Sequence, residues 1–268
     1  MRAATIIIPL LNQVDIWLEQ ALRSALAQTV SCEVIVVTSR DTGESNREVL
    51  YRLQSRAPDL IVIQQPREGF AAGLNCGIQS ASAPRAGLLL SDDWLEPMAA
   101  EACLGHSADI VSTGRTGYAA DGITRVAFPR GLLTREEYDR QPDLERKARV
   151  LGHFFLFNKQ KLAEVGGFDE TLGDSPGIDD YDFIWTMLEH HATVSIVEER
   201  LYNYRDHAGE RLTTRDPRDM AATMNRILAK HNVTGSRAEE LLARHAKWFG
   251  RTIEAVLGEQ EAGGGRDR

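Results

Sequence analysis

Along the first hundred residues, short unbroken apolar runs alternate with longer stretches in which apolar positions recur every three or four residues. Thr5 to Ile8, Cys32 to Val37, Leu60 to Gln64 and Leu88 to Leu90 have strand length and read as buried strands. Pro9 stops the first of them. Ile16 to Ala27 carries Ile16, Trp17, Ala21, Leu22, Ala25 and Leu26 near helical spacing, which predicts an amphipathic helix. Glu44 to Ala57, halted by Pro58, and the small-residue stretch Gly69 to Ala81 predict two more. Strands and helices alternating at this spacing imply βαβ units, a parallel sheet and right-handed crossovers. The fold class expected is α/β, its first half built like one half of a Rossmann-like, doubly wound sheet.

The second half is less regular. Asp109 to Thr113 predicts a strand, and Gly117 to Arg130 a hairpin around Asp121-Gly122, a strong turn dipeptide. Arg135 to Arg149 is dense in both charges and reads as an exposed helix or a mobile loop. Phe154 to Phe157 is an aromatic strand, Lys159 to Val165 a short helix, and Gly166 to Glu170 a turn. Asp179 to His190 predicts a helix with Tyr181, Ile184, Trp185 and Leu188 toward the core. Thr193 to Val197 and Leu201 to Tyr204 predict two further strands, and Arg205 to Arg215 a polar loop. Asp216-Pro217 opens a helical C-terminal extension to about residue 260, and the Gly-rich, charged 261–268 tail is expected to be disordered. The domain expected is thus 1–215, in two halves meeting near residue 100, followed by 216–260.

Composition narrows the function. With 268 residues, 43% apolar and 26% charged, the chain has an ordinary soluble profile and room for a sizeable core. A net charge of −8 argues against nucleic acid as a partner, because phosphate backbones call for basic patches. Any phosphorylated ligand must then be held by local arginines, backbone amides or a metal. Cys32, Cys76 and Cys103 are scattered and form no zinc spacing, which suggests reduced thiols in a cytosolic protein. Ile6 to Pro9 is too short for a signal peptide, and no apolar run approaches the ~20 residues of a membrane span. The location expected is cytoplasmic. Neither G-x-G-x-x-G nor G-x-x-x-x-G-K-[ST] follows the first strand, so no dinucleotide fold or P-loop is indicated.

The candidate chemistry lies in clustered acids. Asp92 and Asp93 stand beyond the fourth apolar run, where open α/β sheets bind ligands. Adjacent carboxylates repel unless a cation or a shared proton relieves them, and a divalent ion shared with substrate phosphates does so. Asp93 as a helix N-cap is the plainer reading of the same residues. Asp179, Asp180 and Asp182 put three carboxylates at a helix start, more than capping needs, and one of them can act as general base. Arg205 and Arg211 are local counter-charges for a pyrophosphate, and His207 sits beside Arg205.

Six patterns occur in order: strand-Pro-x-x-Asn at 6–12, Gly-x3-Gly-Leu-Asn-x-Gly at 69–77, Leu-Ser-Asp-Asp-Trp-Leu-Glu-Pro at 90–97, Gly-Gly-Phe-Asp-Glu at 166–170, Asp-Asp-Tyr-Asp at 179–182 and Tyr-Arg-x-His at 204–207. Together they resemble the family 2 glycosyltransferases, inverting enzymes of the GT-A fold, over about residues 4 to 215. The resemblance implies a nucleotide-sugar-binding half over 1–100 and an acceptor-binding half over 101–215. It assigns Asp92 to the acid of the D-x-D motif that coordinates Mn²⁺ or Mg²⁺, with His207 as a further metal or diphosphate contact. Asp180 matches the base that deprotonates the acceptor hydroxyl. Pro9, Thr38, Asp41, Gly69, Asn75, Ser91, Asp92, Asp93 and Arg205 fall on the donor side. Gly167, Phe168, Asp179 and Trp185 fall on the acceptor side, in a segment that Gly166 opens.

Two positions depart from the family pattern. Thr38 and Ser39 replace the first acids of Asp-Asp-Gly-Ser, and Leu90 replaces the first acid of D-x-D. Asp41, a few positions on, is placed to take over the contact to the base. UDP is the family's commonest carrier, so a UDP-sugar is the donor expected first, with GDP and dTDP open. The function expected is metal-dependent, inverting transfer of a sugar to a hydroxyl acceptor: a polysaccharide, a lipid-linked sugar or a natural product. The alternative is a non-catalytic GT-A-like domain that binds a sugar nucleotide or a protein partner. For the C-terminal helical region, carrying Trp248, packing on the catalytic domain, a homodimer contact and peripheral contact with the inner face of a membrane are all open.

Overall fold

The structure is a computed structural model that describes residues 2–126, 131–151, 155–172, 179–207 and 217–248. Its chain contacts divide into two units. The first comprises Met1–Phe168 with Phe183–His207, and the second Asp169–Asp182 with Ala208–Arg268. This division cuts across the boundary expected at 215, because the 169–182 segment groups with the C-terminal helices.

The first unit holds a nine-stranded sheet. Its N-terminal half runs β1 (Ala4–Leu10), α1 (Asp15–Leu26), β2 (Cys32–Thr38), α2 (Glu44–Gln54), β3 (Leu60–Gln64), α3 (Phe70–Ser80) and β4 (Arg85–Leu88). There follow β5 (Trp94–Leu95), α4 (Ala99–Leu104), β6 (Ile110–Ala119), β7 (Arg125–Val126), α5 (Arg135–Asp139), α6 (Leu144–Val150), β8 (Phe155–Asn158) and α7 (Lys159–Glu164). Then come α8 (Asp179–Glu189), whose first turn belongs to the second unit, and β9 (Val194–Asp206). The strand order is β3-β2-β1-β4-β8-β6-β9-β5, with β7 paired to β6. Strands β3, β2, β1 and β4 are parallel, as the βαβ pattern requires. Insertion of β8 antiparallel between β4 and β6 makes the sheet mixed.

Side-chain alternation puts the two faces of the parallel strands to different uses. Ile6, Ile8, Val34 and Val36 join the buried cluster that contains Leu18, Ala21, Leu22 and Ala25 of α1. Leu18 and Leu22 are each fully buried, worth about 2–3 kcal/mol apiece. On the other face, Ile7 and Val37 meet α3 so closely that a Cβ on Gly77 would lie 2.6 Å from Ile7 Cγ2. That contact explains the small residues of α3.

Several boundaries differ from expectation. Pro9 lies inside β1 rather than ending it. Ile7 accepts from the Leu89 amide on the β4 side while Leu10 accepts from Ser39 on the β2 side, so Pro9 faces β4. There β4 has already ended, and the missing N–H leaves no gap in the ladder. The fourth strand is Arg85–Leu88 rather than Leu88–Leu90; Arg85 starts it by donating to the carbonyls of His106 and Ala108. The two strands expected at 193–204 are one, β9. A bulge opposite Thr113 and Gly114 accommodates its exposed Glu198, Glu199 and Arg200. The charged 135–149 stretch folds into α5 and α6, capped by Thr134 and Asp143. The Asp121-Gly122 turn forms as expected: Asp121 Oδ1 accepts from the amides of Ile123 and Thr124, 2.8 Å each.

The second unit contains a 3₁₀ turn (Glu170–Leu172), the first turn of α8, α9 (Pro217–Lys230) and α10 (Gly235–Trp248). Pro217 opens α9, a position that suits proline because its absent amide would have no intrahelical partner. Tyr181 of α8 meets the His245 ring of α10 at 5.3 Å, so these helices pack on the chain's own acidic segment. Among the described residues no helix is long and apolar enough to cross a membrane. The 261–268 tail and Arg211 lie outside the described residues.

Candidate active site

After β4 the chain runs on through Leu89, whose amide still reaches Ile7, into a tight turn closed by Asp93 N–H donating to Leu90 O at 3.3 Å. The two acids of this turn part company. Asp93 is 1% exposed; it accepts from the Tyr202 hydroxyl and, at 2.7 Å, from the Arg205 amide. Burial, and then the neighbouring charge of Asp92, push its carboxyl well above the usual range, against the pull of those two donors. Burial and the Asp93 charge likewise push the Tyr202 phenol up. Asp92 stays partly open, its side chain 23% exposed, and accepts from His207 Nε2 at 3.0 Å.

Arg205 holds this turn in place. Its guanidinium lies between the indoles of Trp17 and Trp94, 5.0 and 4.9 Å from their centres. Its Nε donates to the Asp92 carbonyl at 2.9 Å, Nη1 to the Ala120 carbonyl at 2.9 Å, and Nη2 to Gln20 Oε1 at 2.5 Å. A Cβ at Gly122, where φ is +68°, would meet Nη1 at 2.7 Å, so the hairpin glycine serves both the turn and the arginine. Burial lowers the guanidinium from its ordinary range, while Asp93, Asp92 and Asp121 act against that. Expected as a counter-charge for a diphosphate, Arg205 is instead 2% exposed and turned inward.

The other residues expected on the donor side divide by burial. Thr38 is buried and donates to the Ile63 carbonyl, bordering a groove of about 450 Å³ with Arg47, Tyr51 and Val62. Asn75 is buried and brackets Phe168, accepting its amide and donating to its carbonyl at 2.9 Å each. Asp93 fastens rather than faces a ligand. Asp41 is exposed at the loop tip, which Asn12 ties down through the Asp41 carbonyl and the Gly43 amide. Pro9, Gly69 and Ser91 are partly exposed, and Gly69 (φ +108°) precedes α3.

On the acceptor side, Gly167 adopts φ +80° beside Asn75. Phe168 is buried and stacks on Phe183 at 4.1 Å, and Trp185 is buried in α8; both are wall rather than contact surface. The acids of α8 separate by burial. Asp179 and Asp182 are 4% and 1% exposed, whereas Asp180 is partly open and accepts from the Tyr181 amide at 2.9 Å. Asp180 is therefore the accessible acid among the three.

Whether a divalent ion fits can be judged from the Asp92–His207 pair. The two donor atoms stand 3.0 Å apart. Neighbouring ligands on an octahedral ion with bonds of about 2.1 Å are separated by about the same distance. The carboxylate oxygen suits Mn²⁺ or Mg²⁺, and the imidazole nitrogen, once Nε2 gives up its proton, suits the softer Mn²⁺ better than Mg²⁺. Among the described residues no group of three His, Cys, Asp or Glu side chains could hold a metal. Among the described residues Asp92 and His207 would supply two ligands, and the rest would come from phosphate and water. Gln20, Trp17, Trp94 and Tyr202 were not anticipated as parts of this arrangement; their partners are remote in sequence.

The mixed sheet flanked by helices is the GT-A architecture. It is similar to Staphylococcus aureus TarS 1-349 in complex with UDP-GlcNAc, with a TM-score of 0.66 and 17% identity over 90% of this chain and 71% of that one. The chain belongs to glycosyl transferase family 2, whose sequence profile matches residues 5–166. It is 26% identical over 189 residues to chondroitin synthase of Pasteurella multocida (strain Pm70), covering 69% of this chain and 19% of that protein. The hyaluronan synthase of Pasteurella multocida is 26% identical over 189 residues, covering 69% and 18%. The chain spans about a fifth of the length of these relatives. The family match ends at Gly166, before Asp180 and His207.

Proposed function

We propose that this protein transfers a sugar, with inversion, from a nucleotide-diphosphate donor to a hydroxyl acceptor, with Mn²⁺ or Mg²⁺ as cofactor. The observation that carries the reading is the Asp92–His207 pair, in which a partly open Asp92 meets a buried His207 and the turn is fastened from behind by Asp93 and Arg205. Asp92 and His207 would hold the ion, which when bound offsets the charge that grows on the departing diphosphate. Asp180 takes the proton of the attacking hydroxyl, and its partial exposure among buried acids supports that role. Asp41, exposed beyond β2, serves the nucleoside in place of the acid that Thr38 lacks. A UDP-sugar is the donor proposed, in keeping with the UDP-GlcNAc bound to TarS and with the synthase names of the relatives. A cytoplasmic location belongs to the same reading, supported by the free thiols of Cys32, Cys76 and Cys103.

Titration calorimetry with UDP, GDP and dTDP, each with and without Mn²⁺, tests this on wild type and Asp92→Ala. UDP should bind with Mn²⁺ present and weaken at least about tenfold in the variant. Binding by none of the nucleotides would leave the non-catalytic domain, which Leu90 and the inward Thr38 favour.

A further inference from the structure

The last acid of the α8 cluster is held from the C-terminal extension. Lys230, at the end of α9, donates to Asp182 Oδ2 at 2.7 Å and to Asp169 Oδ2 at 3.0 Å. His231 Nε2 donates to Asp182 Oδ1 at 3.1 Å, with both side chains almost wholly buried. One turn earlier, Arg226 Nη2 reaches the Leu172 carbonyl at 2.6 Å. Asp169 belongs to the Gly-Gly-Phe-Asp-Glu pattern and Asp182 to Asp-Asp-Tyr-Asp, so one ammonium ties two acidic motifs together. Around a helix, Asp180 and Asp182 stand about 200° apart. The grip on Asp182 therefore leaves the Asp180 side open.

We propose that Lys230 and His231 are positioning residues for the base: by gripping Asp182 and Asp169 they fix the first turn of α8 and thereby aim the Asp180 carboxylate. This rests on the reading of Asp180 as base. Three carboxylates within four residues repel one another, and a buried one without its cation must protonate or move. Burial acts to lower Lys230, but Asp182 and Asp169 outweigh it and raise its pKa, so the ammonium is kept. A base displaced by a fraction of an ångström loses reach to the hydroxyl while donor binding, which depends on Asp92 and His207, is untouched.

The test combines turnover with hydrogen exchange on the full chain. UDP release with Mn²⁺ is measured from UDP-GlcNAc, UDP-glucose and UDP-glucuronate. With the best of these, Lys230→Met should lower kcat about tenfold with donor KM within about twofold, and Lys230→Arg should recover much of the loss. Combined with Asp180→Asn, Lys230→Met should cost less than about twofold more, because its effect passes through Asp180. An unchanged kcat, or an undiminished loss in the Asp180→Asn background, overturns the proposal. Wild-type turnover by Asp180→Asn alone sinks the base reading first, and so separates the two failures. Amides 179–183 should exchange faster in Lys230→Met while those of β1–β3 do not. Unaltered exchange there refutes the clamp even if no sugar nucleotide is turned over. Should Lys230→Met fail to fold, His231→Asn enters the same cycle with an expected loss of about threefold; no loss of kcat overturns the proposal equally.

Discussion

The turn after β4 and the first turn of α8 both carry crowded carboxylates, and both bury one acid while leaving a neighbour open. They differ in what holds the buried one. Asp93 is held by a phenol and a backbone amide, with the nearby guanidinium spent on carbonyls between two indoles. Asp182 is held by an ammonium and an imidazole. The first hold is made of dipoles and packed rings in a buried place, the second of an ion pair whose lysine is about one-third exposed. Dipolar, buried holds are rigid and little affected by salt, whereas an ion pair reaching solvent responds to salt and pH. The turn after β4 is thus built to stand still, and the acidic turn of the second unit can be tuned.

The strongest way to break this contrast is Arg205→Met. It strands the carbonyls of Asp92 and Ala120 and the Gln20 amide, and should cost about 4 kcal/mol in urea unfolding, little changed by 0.5 M salt. A loss below about 1 kcal/mol would mean the arginine is dispensable to the turn.

Lys230→Met comes next, at about 2 kcal/mol after allowing for the partial exposure of the lysine. Here pH sharpens the comparison. Burial acts to raise Asp169, but Thr171 and Lys230 outweigh it and bring the pKa below the ordinary 3.8. Its contribution is complete above that value and fades as pH falls through the lower folded value. Lys230 is raised above the ordinary 10.5, so its contribution is complete below that and fades as pH rises through the folded value. Among the described residues the charged groups that meet it are Asp182 and Asp169, and His231 shares Asp182 with it. The stability gap between wild type and Lys230→Met should therefore shrink below about pH 4 and above about pH 10.5. A gap that keeps growing at either extreme would contradict the ion-pair account.

The smallest effects separate two adjacent glycines. Gly167→Ala sets a Cβ 2.5 Å from Asn75 Oδ1 at φ +80°, and should cost about 2 kcal/mol in thermal unfolding. Gly166→Ala meets nothing within 4 Å at φ +85° and should cost about 1 kcal/mol, from backbone strain alone. Equal losses would show that Asn75 can give way.

Much of the first unit is legible in the chain because strands buried on both faces read as unbroken apolar runs, as in β1 and β2. Reading fails where a charge is satisfied at long range. Arg85 begins an interior strand because two carbonyls wait for it. Arg205 looks like a surface counter-charge until Gln20, 185 positions away, is seen to accept from it. Spacing locates three acids in α8, but only burial tells the open Asp180 from Asp182, and nothing near Asp182 announces Lys230. The bulged Glu198-Glu199-Arg200 interrupts the apolar pattern of β9 without interrupting the strand.

The fastenings of the turn after β4 also set an order in time. The bonds from Tyr202, Arg205 and His207 to Asp93 and Asp92 span 109 to 115 positions. Closing loops of that length is entropically costly and slow compared with forming β1 to β3 from neighbouring segments. In a growing or refolding chain the parallel strands can assemble while Asp92 still lacks its histidine. The pair appears only when the end of β9 docks, so acquisition of the proposed metal-dependent nucleotide binding would mark one of the last steps of folding.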